Sequence, residues 1–212
     1  FLLVVSIFGL YGLVDDLVDI GRKVKLIFPI MFCFPLISVI HPKLIWVPFL
    51  GEFDLIQELF SSGISYSDII RIMVVPIYVM VVSNLVNMHS GYNGLQSGLS
   101  IIILSTLIIK SWQMDTLYQI LPCGAILGGM SSFWFFNRYP SRAFEGNIGS
   151  LLFGSVIGCV IVIQELWWFG FFILIPHIMN FFLWIIWLYL MKKDPGRYLE
   201  KNGTHKKFAD LQ

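Results

Sequence analysis

Phe1-Leu-Leu-Val-Val-Ser-Ile-Phe-Gly-Leu-Tyr-Gly-Leu-Val14 carries no charge and runs straight into Asp15-Asp16-Leu-Val-Asp19. An aspartate in hydrocarbon costs about 2.5–3.5 kcal/mol on insertion scales, so carboxylates at the end of such a run mark a helix mouth rather than a helix middle. Arg22, Lys23 and Lys25 follow, and Leu26 to Ile40 is again free of charge. Apolar helix, charged mouth, apolar helix is the pattern of a polytopic membrane protein. A mouth that holds carboxylates with lysines a turn or two away is also where Mg²⁺ and a phosphate can be held together.

The rest of the composition agrees. The 212 residues are 57% hydrophobic and 13% charged, whereas soluble domains carry about 25% charged residues. The fold class expected is an all-α polytopic membrane protein forming one transmembrane domain over 1–212. A net charge of +1 lacks the basic footprint of a nucleic-acid binder. Cys33, Cys123 and Cys159 fall in apolar runs, without metal or disulfide spacing, and read as small packing residues. The chain begins on Phe1 within an apolar run shorter than the roughly 20 residues a span needs. We therefore expect an internal piece of a larger protein, truncated at both ends.

Seven apolar segments stand out, at about 1–14, 26–41, 70–88, 99–110, 116–136, 148–165 and 168–191. The interval 42–69 is polar and acidic, broken by Pro42, Pro48, Gly51 and Gly63, with Leu44-Ile-Trp-Val47 as a short strand. Alternate threading puts eleven of the fourteen Lys and Arg residues (Arg22, Lys23, Lys25, Arg138, Arg142, Lys192, Lys193, Arg197, Lys201, Lys206, Lys207) on one side, leaving Lys43, Arg71 and Lys110 on the other. That bias assigns the first side to the cytosol and 42–69 to the luminal or extracellular face. Every polar motif falls on the cytosolic side.

Three motifs carry the chemistry, and each has a plainer reading. Asp15 and Asp19 share a helix face, with Asp16 about 100° round. As a solvated helix end they would merely balance Arg22, Lys23 and Lys25. Yet acids at a helix C-terminus oppose the macrodipole, so helix stability does not account for them. Lys25 by itself reads as a snorkelling lysine, whereas beside the aspartates it is placed to meet a phosphate. The second motif is Asn84-Leu-Val-Asn87-Met-His-Ser-Gly91-Tyr-Asn93-Gly94. Asn is poorly tolerated in helix interiors, so this run reads as a helix ending in a tight loop that offers amides to a base or sugar and a carbonyl to a metal. Its plain alternative is an interhelical Asn and a flexible turn. The third motif is Asn137-Arg-Tyr-Pro140-Ser-Arg142-Ala-Phe-Glu145-Gly146-Asn147. Gly146 and Asn147 suit a helix start, and Arg138 and Arg142 suit either phosphates or the positive-inside rule. Of the four histidines, only His89 sits within a motif; His177 reads as a packed polar residue.

Together the motifs resemble those of the polyprenyl-phosphate N-acetylhexosamine-1-phosphate transferases. Gly12-Leu-Val-Asp15-Asp16-Leu-Val-Asp19 with Lys25-Leu-Ile-Phe-Pro29 resembles the family's aspartate motif and following lysine. The Asn84–Gly94 run resembles its Asn-rich loop. Ser90-Gly-Tyr-Asn-Gly94 in place of the bacterial Asp-Gly-x-Asp-Gly, and Tyr139-Pro-Ser-Arg142, resemble the eukaryotic and archaeal dolichyl-phosphate branch. The resemblance runs from about residue 9 to residue 191. It implies a larger bundle of about ten helices with cytosolic active-site loops. It implies transfer of N-acetylglucosamine 1-phosphate from UDP-N-acetylglucosamine to dolichyl phosphate, releasing UMP, as the first step of lipid-linked oligosaccharide assembly for N-glycosylation. Mg²⁺ is the implied cofactor. Asp15, Asp16 and Lys25 are the implied catalytic residues, and Asn87 and Asn147 the implied metal ligands. Asn84, Gly91, Asn93, Gly94 and Arg142 are the implied substrate-binding residues. The implied setting is the endoplasmic reticulum membrane in a eukaryote or the plasma membrane in an archaeon, with membrane lipid around the chain; a homodimer is compatible with it.

Two departures from the family pattern stand out. Asn147 occupies a place where many members carry a metal-binding Asp, and Glu145 or Asp19 is a candidate to compensate. The 192–212 stretch is basic like a segment of the relatives but does not align residue by residue. Two rival readings remain at this stage, a transporter and a catalytically silent scaffold of the same architecture. A transporter predicts midplane polar sites and internal repeats, which the sequence lacks.

Overall fold

A computed structural model of the chain describes residues 1–18, 20–47, 49–57 and 64–193. Helix α1 spans Leu2–Val18, α2 Arg22–Phe32 and α3 Phe34–Ile37. Strands β1, Leu44–Val47, and β2, Gly51–Asp54, form an antiparallel hairpin in register Leu44 to Asp54 and Val47 to Gly51. Helix α4, Tyr66–Ile69, continues through a π-helical turn, Ile70–Val74, into α5, Val75–Asn87. Then come α6, Leu95–Gln113, a 3-10 turn at Leu117–Ile120, α7, Pro122–Asn137, and α8, Gly146–Ile163. Helices α9, Trp167–Ile173, and α10, Ile175–Lys193, complete the order.

Helix α8 is the axis of the bundle. Twelve of its 18 residues are buried, which no other helix approaches, so it is apolar on nearly every face. It runs antiparallel to α1 and to α5. Gly12 of α1 faces the Asn147–Ile148 backbone while Gly9 faces Leu152. On the α5 side, Gly154 faces Ser83 and Val86, and Gly158 faces Val79 and Val82. Small residues at such crossings bring helix backbones together where lipid offers no hydrophobic drive for association. Ser83 donates its hydroxyl to the Leu151 carbonyl across the α5–α8 seam, and Tyr78 donates to the Trp167 carbonyl at the far end. Val4, Phe8, Val79, Val82, Ile157 and Ile161 fill the core around these contacts.

The hairpin sits at the end of the bundle away from Asn87. Leu55 donates its amide to the Lys43 carbonyl, and Ser67 at the start of α4 donates to Leu55. The strand expected at 44–47 is present. Ser65 caps α4 through a reciprocal bond with Asp68, and Asp68 pairs with Arg71.

Each of the seven apolar segments is helical, but they do not make seven plain spans. Among the described residues, three helices are long and apolar enough to cross a membrane: Tyr66–Asn87, Leu95–Gln113 and Gly146–Ile163. The segment expected at 168–191 bends by 61° at Leu174. Pro176 has no N–H to give to the preceding turn, and that breaks the ladder there. The segment expected at 26–41 breaks at Cys33, between Pro29 and Pro35.

The seam at Gly154 is testable. A Cβ there would lie 2.7 Å from the Ser83 Cα, whereas one at Gly124 of α7 meets nothing within 4 Å. Gly154→Ala should destabilise the protein by about 1–3 kcal/mol through overpacking. Gly124→Ala should leave the detergent melting temperature unchanged or slightly higher.

Candidate functional site

The antiparallel packing gathers the C-terminal ends of α1, α5 and α7 with the N-terminal ends of α6 and α8. The three sequence motifs occupy those five ends. Their junction is a cavity of about 250 Å³ lined by Asp16, Ser90, Tyr92, Asn93, Asn137, Phe144, Glu145, Gly146 and Asn147.

Asp16 reaches from α1 to the start of α8. Its two carboxylate oxygens accept the Asn147 amide at 2.8 Å and the Ile148 amide at 3.1 Å. The first N–H groups of a helix lack intrahelical partners, and an anion there also meets the positive end of the macrodipole. Asp16 therefore caps a helix far from it in sequence. Gly146, at φ +61°, makes the approach feasible, since a Cβ would meet the Asp16 carboxylate at 2.6 Å.

Asp15 faces inward and is 3% exposed. One oxygen accepts the Ile20 amide at 2.9 Å and lies 2.9 Å from the Lys25 Nζ; the other is buried without a hydrogen-bond partner. Asp15 thus fixes the α1–α2 turn and brings Lys25 beside the mouth. Asp19, the side chains of Arg22, Lys23, Lys192 and Lys193, and residues 194–212 lie outside the described residues.

The Asn-rich motif splits in two. Asn87 Oδ1 lies 2.6 Å from the Ser150 hydroxyl, which also lies 2.9 Å from the Gly146 carbonyl. Asn87 is thereby tied to the first turn of α8. Asn84 donates to the Met80 carbonyl of its own helix, outside the cavity lining. Asn93 and Tyr92 line the cavity, whereas Gly91 is exposed beside them. Gly94, at φ +76°, packs on the Arg138 backbone and starts α6.

Asn137, which the sequence reading left without a role, holds the loops together. Its Oδ1 accepts from the Gly94 amide at 2.9 Å and the Ser97 hydroxyl at 2.8 Å, and its Nδ2 donates to the Ala143 carbonyl at 2.9 Å. Trp134 adds a bond to the Gly94 carbonyl, and Arg138 lies over the Trp134 and Phe135 rings. Arg142 is exposed and outside the cavity lining.

Glu145 is 9% exposed at the cavity wall, with Oε1 buried and unpartnered. Gly149 leaves it room: a Cβ there would come within 2.6 Å of the Glu145 Cγ. Burial pushes its carboxyl up to about 8, against a smaller opposing pull from Gln96. His89 packs edge-on against the buried His177, with ring centres 4.8 Å apart, and burial lowers its imidazole below the ordinary value. His177 is the packed polar residue the sequence suggested, and His89 stands behind the loop rather than in the cavity lining.

Residues 1–165, most of the chain, match glycosyl transferase family 4. The chain belongs to that family. A protein of Saccharolobus solfataricus, provisionally named UDP-N-acetylglucosamine–dolichyl-phosphate N-acetylglucosaminephosphotransferase, is 33% identical over 177 residues, covering 81% of this chain and 51% of the relative. A Sulfolobus acidocaldarius protein of the same provisional name is 30% identical over 182 residues, 84% of this chain and 52% of the relative. The phospho-N-acetylmuramoyl-pentapeptide-transferase of Blochmanniella floridana is 29% identical, over 76% of this chain and 50% of the relative. The chain spans about half the length of the curated relatives it matches. The family resemblance read from the three motifs is borne out, and with it an integral membrane setting.

Two outcomes test this geometry. Asn137→Ala should strand the Gly94 amide and the buried Ser97 hydroxyl, destabilising the protein by about 1–3 kcal/mol in detergent melts. Glu145 gives a pH signature. Its folded carboxyl titrates near 8 against an ordinary 4.5, so the folded state holds the proton across that window. Metal-free protein should lose stability as pH rises from about 4.5 to 8, and Glu145→Gln should remove that loss.

Proposed function

We propose that the full protein transfers N-acetylglucosamine 1-phosphate from UDP-N-acetylglucosamine to dolichyl phosphate. An acceptor phosphate oxygen attacks the sugar-linked phosphorus, a new P–O bond forms, and the bond to the bridging oxygen breaks to release UMP. The observation that carries the reading is the convergence of all three motifs on one cavity, where Asp16 bonds Asn147 and the 90–93 loop closes the wall. The names of the two archaeal relatives favour this donor and carrier over the muramoyl-pentapeptide chemistry named for the bacterial one. Gathering of polar groups at one end of the bundle also favours an enzyme at the membrane surface over a midplane transport site.

The cavity chemistry fits the implied cation. Its polar lining is oxygen-rich, with two carboxylates, amide side chains and no thiol or imidazole. Mg²⁺ favours one or two carboxylates completed by substrate phosphates and water. Asn147 in the wall and Asn87 behind Ser150 would hold it, and when bound it would neutralise the pyrophosphate and the departing UMP. The chain's own side chains do the remaining work by positioning and charge. Lys25, steered by Asp15, meets the acceptor phosphate. Asp16 fixes α1 against α8 so that the acceptor and donor sides keep register. Asn93, with the Gly91–Gly94 backbone, faces the uridine, whereas Asn84, bonded within α5, is left without a direct role. Arg142, at the exposed rim, lies on the nucleotide-sugar side. The cavity end faces the cytosol and the 44–54 hairpin the opposite side, in keeping with the eleven-to-three distribution of basic residues.

The test is UMP release by the full-length protein with Mg²⁺, dolichyl phosphate and UDP-N-acetylglucosamine. We expect Mg²⁺-dependent release, lost in Asp16→Asn because a neutral amide cannot accept both α8 amides. Absence of UMP from well-folded protein, across several UDP-sugars and carriers, would overturn the proposal.

A further inference from the structure

Tyr11 carries a hydroxyl that its packing does not need. The ring is clamped between α1 and α2, parallel to Phe28 at 6.4 Å and edge-on to Phe32 at 5.2 Å. Phe32 meets Phe8 edge-on in the same seam. A phenylalanine at position 11 would make the same ring contacts. The tyrosine is 8% exposed, and its hydroxyl is buried with no hydrogen-bond partner. Buried tyrosine hydroxyls usually find one, because a bare hydroxyl loses its water without compensation.

A second unpartnered oxygen lies one turn along. The Asp15 side chain is fully covered. Its Oδ1 takes the Ile20 amide and the Lys25 ammonium, both at 2.9 Å, while Oδ2 accepts nothing. Phe8, Tyr11 and Asp15 recur at spacings of three and four, the spacing of one helix face, and Lys25, Phe28 and Phe32 repeat it on α2. The two stripes meet residue against residue: Asp15 on Lys25, Tyr11 on Phe28, Phe8 on Phe32. The Asp15 charge acts through space on the Tyr11 hydroxyl. One group is an O–H donor and the other a carboxylate oxygen that only accepts. A single water between them satisfies both.

We propose that Tyr11 is a positioning residue for the acceptor side of the site, its hydroxyl holding Asp15 Oδ2 through one bridging water so that Oδ1 stays turned to Lys25. The role in the reaction rests on the phosphotransferase reading, in which Lys25 meets the acceptor phosphate. A carboxylate held at one oxygen alone can swivel about its last bond, whose torsion is broad. Held at both, it keeps the long lysine side chain at one place in the mouth. Asp16 takes no part in this, since both its oxygens accept α8 amides. Tyr11 itself stands outside the cavity lining, so the donor side is untouched.

Tyr11→Phe keeps the ring and removes only the hydroxyl. In full-length protein it should raise the KM for dolichyl phosphate by roughly three- to tenfold and leave the KM for UDP-N-acetylglucosamine unchanged. Melting in detergent without substrate gives a readout that needs no activity. Tyr11→Phe should lower the melting temperature by about 2–4 °C in wild type and cause no further loss in an Asp15→Ala background. Asp15→Asn, which keeps the shape, takes the place of Asp15→Ala if that variant does not fold. An unchanged KM for dolichyl phosphate in active protein, or equal melting losses in both backgrounds, overturns the proposal. Failure of UMP release in wild type removes the phosphotransferase reading, and the melts then decide: a loss confined to wild type upholds the link from Tyr11 to Asp15, and equal losses overturn it.

Discussion

The bond between the Asp16 carboxylate and the first amides of α8 is the constraint on which the candidate site depends. Helix α8 is buried along most of its length, so the angle and height of its N-terminus set where Gly146, Asn147 and Glu145 stand. An N-cap exchanges a local side chain for solvent at a helix start and contributes about 0.5–2 kcal/mol. Here the cap comes from a different helix, so the same bond also fixes α1 against α8. Gly12 makes this feasible: a Cβ would fall 2.6 Å from the Ile148 Cα. One short-range contact thereby joins the first sequence motif to the third.

Other joints at this end repeat the economy. Asn87 reaches the same first turn through Ser150, linking α5 to α8. Asn137 closes the α6–α7 side by taking two donors from one loop and giving one to another. Buried amides are worth retaining when all their bonds are made, because a missing partner leaves a desolvated group uncompensated. The remainder of the bundle holds through apolar packing and close glycine crossings, so the polar end is built separately from the part that lipid surrounds.

Much of this was legible in the sequence. Charge-free runs mark helices reliably, and the asparagine, glycine and aspartate clusters could only stand at their ends. The strand at 44–47 showed as the short apolar run Leu44-Ile-Trp-Val47 between breakers. Prolines were visible as well, but whether Pro176 would merely bend a span or split it depends on what packs around the freed carbonyl, which no local pattern reports. Asp16 as a cap for residues about 130 positions away could not be read, because capping signals are sought within a few residues of a helix start. The role of Asn137 was hidden for the same reason: its partners lie about 40 residues upstream and six downstream. Glu145 was visible only as a candidate beside Asn147; its inward turn depends on the space at Gly149.

Charge at the cavity limits what can enter it. Helix N-termini commonly hold phosphates on free backbone amides, but the α8 amides of Asn147 and Ile148 are already taken by Asp16. An incoming anion therefore finds those two donors already taken. Lys25 does not replace them openly, since it lies against Asp15 and is about three-quarters covered. The cap that holds the fold together thus also removes the anion site a bare helix start would have offered.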